Sequence, residues 1–322
     1  MIEYYIAIGL ISLFSTFILT KYLIPRLKNA NLIGKDVNKE DKPEVAEMGG
    51  IAIVAGFSTG IMLAIFFNSF MAFEFNLIYV LAALITIHTV AFIGISDDLI
   101  DIPQWLKAIL PLAAAIPLVA VKAVGSTTLM IPFLGAVDFG IFYILLLIPI
   151  GIAVCSNLTN MFAGFNGMES SMGIVIFATM AVLGLGKGST EMTLMAIAIL
   201  GALIGFLFFN KYPSKVFPGD VGNLTIGAAL ASMVIIGNFE TAGTILIIPY
   251  VVDFFVKLYN RFPSSKWWGE IKDGKLYPVE GKVRGLAQLI MKKTNGISEG
   301  NLVLLFVGVE IVLAVIVLVV YL

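Results

Sequence analysis

The sequence predicts an all-α integral membrane protein of about ten transmembrane helices, with a cytoplasmic-face cleft and small β-hairpins in its loops. Three observations carry this expectation. The 322 residues are 59% hydrophobic and 13% charged, where a soluble domain has roughly a quarter charged, and the mean hydropathy is +1.01. Apolar runs that approach the ~20 residues of a membrane-crossing helix recur along the chain. Lys and Arg gather in alternate loops, an asymmetry that the net charge of −1 conceals. Nothing in this balance points to a nucleic-acid partner.

The runs lie near 4–24, 48–68, 77–96, 106–121, 141–158, 168–185, 192–209, 222–238, 241–258 and 299–321, and they read as one polytopic domain over 1–322. The first follows Met1-Ile2-Glu3 without a basic n-region or a small-residue cleavage pattern, so it is expected to be a retained helix. Gly56/Gly60 and Gly201/Gly205 have the spacing that lets helices pack closely. The fourth run is short: 14 residues separate Lys107 from Lys122, Pro111 and Pro117 among them. That is roughly 21 Å of helix, so Lys107 is expected below the membrane surface, in a cavity. Residues 122–140 alternate polar and apolar around Leu134-Gly135 and suggest an outer hairpin. Cys155 has no partner for a disulfide, and His88 reads as a hydrogen-bonded packing residue. Glu310 lies mid-span with no sequence-level account.

Of the 20 Lys and Arg residues, all but Lys122 and Lys187 belong to 25–47, 97–105, 159–167, 210–221, 259–298 and the span ends beside them. By the positive-inside rule those segments are cytoplasmic and both termini are outside. In the long segment 259–298, Glu270 to Tyr277 reads as a hairpin about Asp273-Gly274. Lys282 to Lys293 reads as an interfacial helix with Val283, Leu286, Leu289 and Ile290 on its apolar side, stopped by Asn295-Gly296. Trp267-Trp268 are candidate anchors at headgroup depth.

Four polar clusters fall at cytoplasmic helix ends: 42–50 with Glu47, Asp97-Asp98 with Asp101, 157–167 from Asn157 to Gly167, and 217–223 with Asp220. Carboxylates packed at the edge of hydrocarbon repel one another and lose hydration, so a nearby cation or proton pathway must offset them. Carboxylate and amide oxygens without His or Cys suit a hard cation such as Mg²⁺, which takes one or two protein oxygens plus substrate phosphates. Lys107 supplies a positive point charge ten residues beyond Asp97. A metal, a basic residue and fixed donors are what phosphoryl transfer requires. The reading from another class, an ion-coupled transporter binding Na⁺ or H⁺, expects midplane sites within inverted repeats. Here the clusters sit at one face and no repeat is visible.

At these residues the chain resembles the polyprenyl-phosphate N-acetylhexosamine-1-phosphate transferases, nearest to the eukaryotic and archaeal UDP-GlcNAc:dolichyl-phosphate type. The likeness rests on Asp97-Asp98-x-x-Asp101, NLTNMFAGFNGME at 157–169, FPGDVGN at 217–223 and RFPSSKWWGEIKDGKLYP at 261–278. It implies ten membrane helices, a UDP-N-acetylhexosamine (GlcNAc above all) and a polyprenyl or dolichyl phosphate as substrates, and release of UMP in lipid-linked oligosaccharide synthesis. It further implies Mg²⁺, or Mn²⁺, on Asn160 and Asp220, with Asp97 and Asp98 as the essential acidic pair and Lys107 on the pyrophosphate. Phe217 would stack on uracil, Gly164 and Asn166 would contact the base or nucleoside, and Glu47 and Glu169 would line the nucleotide pocket. The basic loop at Arg261 stands where undecaprenyl-phosphate-using relatives carry a His-rich motif, since the one His here is His88. Direct attack by the lipid phosphate and a covalent aspartyl intermediate both remain open. A homodimer in the bilayer is the assembly the family suggests, and a different UDP-N-acetylhexosamine is the alternative donor.

Overall fold

Hydrophobic on every side, the helix Gly219–Gly237 is the axis of the molecule: each residue from Val221 to Ile236 is buried. The structure, a computed structural model, describes residues 1–122, 126–131, 134–262 and 265–322. In chain order its helices are α1 (Ile2–Asn29), α2 (Gly50–Phe70), α3 (Leu77–Ile100), α4 (Gln104–Ala114), α5 (Ile116–Lys122), α6 (Ile148–Met161), α7 (Met168–Lys187), α8 (Thr190–Asn210), the axial α9, α10 (Glu240–Leu246), α11 (Ile248–Tyr259), α12 (Leu286–Lys293) and α13 (Glu299–Tyr321). A π-helical turn at Tyr143–Leu147 leads into α6. Among the described residues nine helical stretches are long and apolar enough to span a membrane, and the pair α10–α11 makes ten.

That pair corrects one expectation. Residues 241–258 do not form a straight span: the chain bends by 60° between α10 and α11. Pro249, at the start of α11, has no N–H to continue the ladder and its ring crowds the preceding turn. The bend turns Val251, Phe254, Phe255 and Lys257 onto the wall of the large cleft described below. The fourth span is the predicted short one, α4 and α5 together, and Lys107 is buried in it.

Close approach explains the packing. α1 presents Ser12, Thr16 and Thr20 as a buried small-residue face, with the Ser12 and Thr20 hydroxyls returned to their own helix. Gly56 and Gly60 meet Thr16 and Ser12, while Gly201 and Gly205 meet the α1 backbone. Around α9 the approach is closer still. A Cβ on Gly94 of α3 would lie 2.5 Å from Val221 Cα, and one on Gly227 would lie 2.2 Å from the Cys155 carbonyl of α6. These contacts bring the ends of α3 and α6 against the start of α9. His88 is hydrogen-bonded to Ser58 (2.8 Å) and the Leu84 carbonyl (2.7 Å), as a packing residue should be. Glu310 is fully buried in α13 and neither carboxylate oxygen has a hydrogen-bond partner among the described residues.

Three antiparallel hairpins complete the fold: β1 (Ile33–Lys35) with β2 (Glu44–Ala46), β3 (Thr128–Ile131) with β4 (Gly135–Asp138), and β5 (Gly269–Lys272) with β6 (Lys275–Pro278). The second and third are the predicted ones. Residues 123–125, 132–133 and 263–264 lie outside the described residues, so those parts of the predicted segments 122–140 and 259–298 are not described. The first was not anticipated, and through an Ala46–Val216 bridge it joins the segment before α9. The expected helix over 282–293 begins only at Leu286; it buries Ala287, Gln288 and Met291 most deeply, with Leu286 and Ile290 of the predicted apolar side half-buried against the core. Gln288 decides this orientation, because its amide binds the Lys266 and Trp268 carbonyls and the Arg284 N–H.

Candidate active site

Asp97 and Asp98 occupy the last turn of α3, where the helix dipole disfavours acids. Each finds compensation elsewhere. Asp98 accepts from the backbone amides of Asp220 (2.9 Å) and Val221 (3.1 Å), so it caps the positive end of α9. Asp97 accepts from the Ile102 amide (2.9 Å) and from Lys107 Nζ (2.5 Å). The same ammonium pairs with Asp220. Asn160, with its amide turned to suit its neighbours, donates to Asp220 Oδ1 and accepts from Lys107 Nζ, both at 3.0 Å. Four of the predicted residues, from four helices, thus form one polar cluster. Asp101 is not part of it; it ends α3 in a left-handed conformation, exposed.

Lys107, Asn160 and Asp220 face a cleft of about 1220 Å³, whereas Asp97 and Asp98 do not line it. Its lining includes Glu47, Gly164, Glu169 and Phe217, together with residues 34–38. A Cβ on Gly34 would meet Glu47 Oε2 at 2.9 Å and the Phe217 ring at 3.3 Å, so this wall is tightly made. Burial, then the charge of Asp98, holds the Glu47 carboxyl above the usual glutamate range. Glu169 accepts from the Gly164 N–H. Trp105, Ala153, Val154, Val251, Phe254 and Phe255 add an apolar part to the lining.

The structure sets two of the predicted residues apart from the cleft. Asn166 does not line the cleft. Its side chain donates to Asp36 Oδ2 (3.1 Å) and accepts from the Ser214 N–H (2.7 Å), and its own N–H goes to Glu299 (2.7 Å), so the side chain is engaged within the fold at both its oxygen and its nitrogen. Arg261 points to solvent, because the turn closed by Phe262 N–H on the Lys257 carbonyl (2.8 Å) sends Phe262 to the cleft instead. Trp267 and Trp268, expected as anchors at headgroup depth, line the cleft. Lys257 was missed altogether: it pairs with Asp253 (2.7 Å) and donates to the Met161 carbonyl, beside Asn160. Two ionisable residues four apart in an apolar run were the available signal.

The donor set fits a divalent cation. Asp220 and Asn160 offer hard oxygens, and the ammonium bonded to both marks a position where positive charge is accepted. Among the described residues no three His, Cys, Asp or Glu side chains gather as a protein-only metal cage. A Mg²⁺-like ion here would complete its shell with water and phosphate oxygens.

Fold and site define a polytopic membrane protein of the glycosyl transferase class. The profile of Glycosyl transferase family 4 matches residues 80–238, which include the Asp97–Lys107–Asn160–Asp220 cluster. The chain is 38% identical to a protein of Saccharolobus solfataricus named "Putative UDP-N-acetylglucosamine--dolichyl-phosphate N-acetylglucosaminephosphotransferase", over 95% of this chain and 94% of that one. A Sulfolobus acidocaldarius protein of the same name is 35% identical over 93% of this chain and 91% of its own length. The Dictyostelium discoideum UDP-N-acetylglucosamine--dolichyl-phosphate N-acetylglucosaminephosphotransferase is 29% identical over 90% and 82%. The chain belongs to this glycosyl transferase family.

Proposed function

We propose that the protein transfers GlcNAc-1-phosphate from UDP-GlcNAc to a polyprenyl phosphate of the dolichyl type, in the synthesis of lipid-linked oligosaccharide. The observation that carries this reading is the Lys107 cluster on the wall of a cleft lined by both polar and apolar residues. The nucleotide takes the part built by Glu47, Gly164, Glu169 and Phe217. The prenyl chain takes the part built by Trp105, Phe254 and Phe255, where Trp105 and Phe255 are exposed apolar surface. The two phosphate groups then meet at Lys107, Asn160 and Asp220.

An oxygen of the lipid phosphate attacks the β-phosphorus of the donor, the bond from that phosphorus to the bridging oxygen breaks, and UMP leaves with the electron pair. A phosphate monoester has its second pKa near ~6, so the acceptor is largely dianionic at neutral pH and needs no general base. This suits the engaged state of Asp97 and Asp98, which hold Lys107 and α9 rather than a free proton site. Lys107 neutralises charge on the pyrophosphate. Asp220 and Asn160 would hold Mg²⁺ or Mn²⁺, whose charge stabilises the departing phosphate. The basic loops at the cleft end support a cytoplasmic cleft with both termini outside.

The test is incubation of purified protein with a polyprenyl phosphate and each of several UDP-N-acetylhexosamines, followed by mass spectrometry of the lipid. A pyrophosphoryl-GlcNAc lipid with equimolar UMP is expected. Product from another UDP-N-acetylhexosamine alone would reassign the donor, and no lipid product from any would reject the transferase reading.

A further inference from the structure

Gly164 is held on every side. Its φ of +129° lies in a region that L side chains rarely adopt. Its N–H goes to Glu169 and its carbonyl accepts from Asn38 Nδ2 (3.0 Å). A Cβ there would fall 2.2 Å from the Trp267 ring, so the indole packs directly on the glycine. Asn38, from the loop between β1 and β2, is itself buried, and its Oδ1 accepts from the Gly269 N–H (2.9 Å) two residues past Trp267. One amide therefore ties the Gly164 turn to the strand that carries the indole.

The anchor of that amide is also built. Asp36 accepts from the Asn38 N–H (3.3 Å) and from Asn166 (3.1 Å), Lys39 pairs with Asp36 (3.2 Å) and Glu299, and Glu299 accepts from the Asn166 N–H (2.7 Å). Four segments distant in sequence are joined by buried polar bonds, which are worth most when every member is satisfied.

We propose that Asn38 is a positioning residue for the donor nucleotide: by bonding Gly164 and Gly269 at once it sets the gap between the Gly164 turn and Trp267 in the cleft. This rests on the transferase reading given above. The acceptor part, at Trp105, Phe254 and Phe255, shares no bond with Asn38, so the effect falls on one substrate.

Trp105, Trp267 and Trp268 are the three tryptophans of the chain and all line the cleft, so intrinsic fluorescence reports nucleotide binding. The experiment compares wild type, Asn38→Asp, which loses the donor to Gly164 but keeps an acceptor for Gly269, and Asn38→Ala, which loses both. UMP affinity and the KM of each substrate are measured in detergent with a thermal melt. UMP affinity is expected to weaken, and the UDP-GlcNAc KM to rise, about tenfold in N38D and further in N38A. The KM for polyprenyl phosphate and kcat should move less than threefold. If N38D does not fold, N38A alone decides. A folded variant that binds UMP as wild type does, or one in which kcat and both KM values worsen together, overturns the proposal. Wild-type protein that binds no uridine nucleotide overturns the transferase reading instead.

Discussion

The Lys107 ammonium lies between the carboxylates of Asp97 on α3 and Asp220 on α9. With the positive charge removed, two partly buried acids face each other. Lys107→Met should lower UMP release by at least ~10²-fold, from lost stabilisation of phosphate charge. It should also destabilise the fold by roughly 3–5 kcal/mol, the usual cost of orphaning a buried charge. Lys107→Arg should not rescue activity, because a planar guanidinium cannot replace a point charge between two acids. Adding Asp97→Asn to K107M should restore part of the melting temperature and none of the activity. Thermal melts and UMP assays on the three proteins check this.

Asp98 is bound to two backbone amides of α9, so its expected effect is on the frame that aims Asp220. Asp98→Ala should lose about 1–2 kcal/mol of stability, the range for a helix cap, and Asp98→Asn should lose less because one oxygen remains. In both, the fall in kcat should track the fall in melting temperature. A large loss of kcat at unchanged stability would instead give Asp98 a direct chemical role.

Asp220 and Asn160 are the hard-oxygen pair at the cleft. Chelation by EDTA should stop UMP release, and Mg²⁺ or Mn²⁺ should restore it. Asp220→Asn should weaken Mn²⁺ binding about tenfold or more, read by electron paramagnetic resonance without turnover. Unchanged Mn²⁺ affinity in D220N would remove Asp220 from the ion site.

The nine unbroken spans were legible because hydrocarbon thickness fixes helix length, and the four motifs because ionisable groups are rare in such a chain. The bend at Pro249 escaped because composition over 241–258 stays apolar throughout, and composition carries no angle. Asn166 was expected at the base because the family resemblance implies that role. Only the tertiary partners Asp36, Ser214 and Glu299 reveal that its side chain is engaged within the fold. Asn38 and Lys39 were hidden within the positive-inside bias, which explains a loop lysine without asking what it touches.

Glu47 lies outside the spans, between β2 and α2, and its carboxyl is held above the usual glutamate range by burial and then by Asp98. Between the ordinary value and the raised one, the folded state binds more protons than the unfolded state. Stability therefore declines as pH rises through that window. Glu47→Gln removes the charge that burial opposes while keeping the shape against Gly34 and Phe217. The variant should melt higher than wild type at pH 7.5, by ~1–3 °C. The gap should close as pH falls through the ordinary glutamate range, where wild-type Glu47 is neutral in both states. Since part of the shift comes from Asp98, the gain at pH 7.5 should be smaller in an Asp98→Asn background. Melting curves of the four proteins across pH test the sign, and a gap that widens on acidification would contradict it.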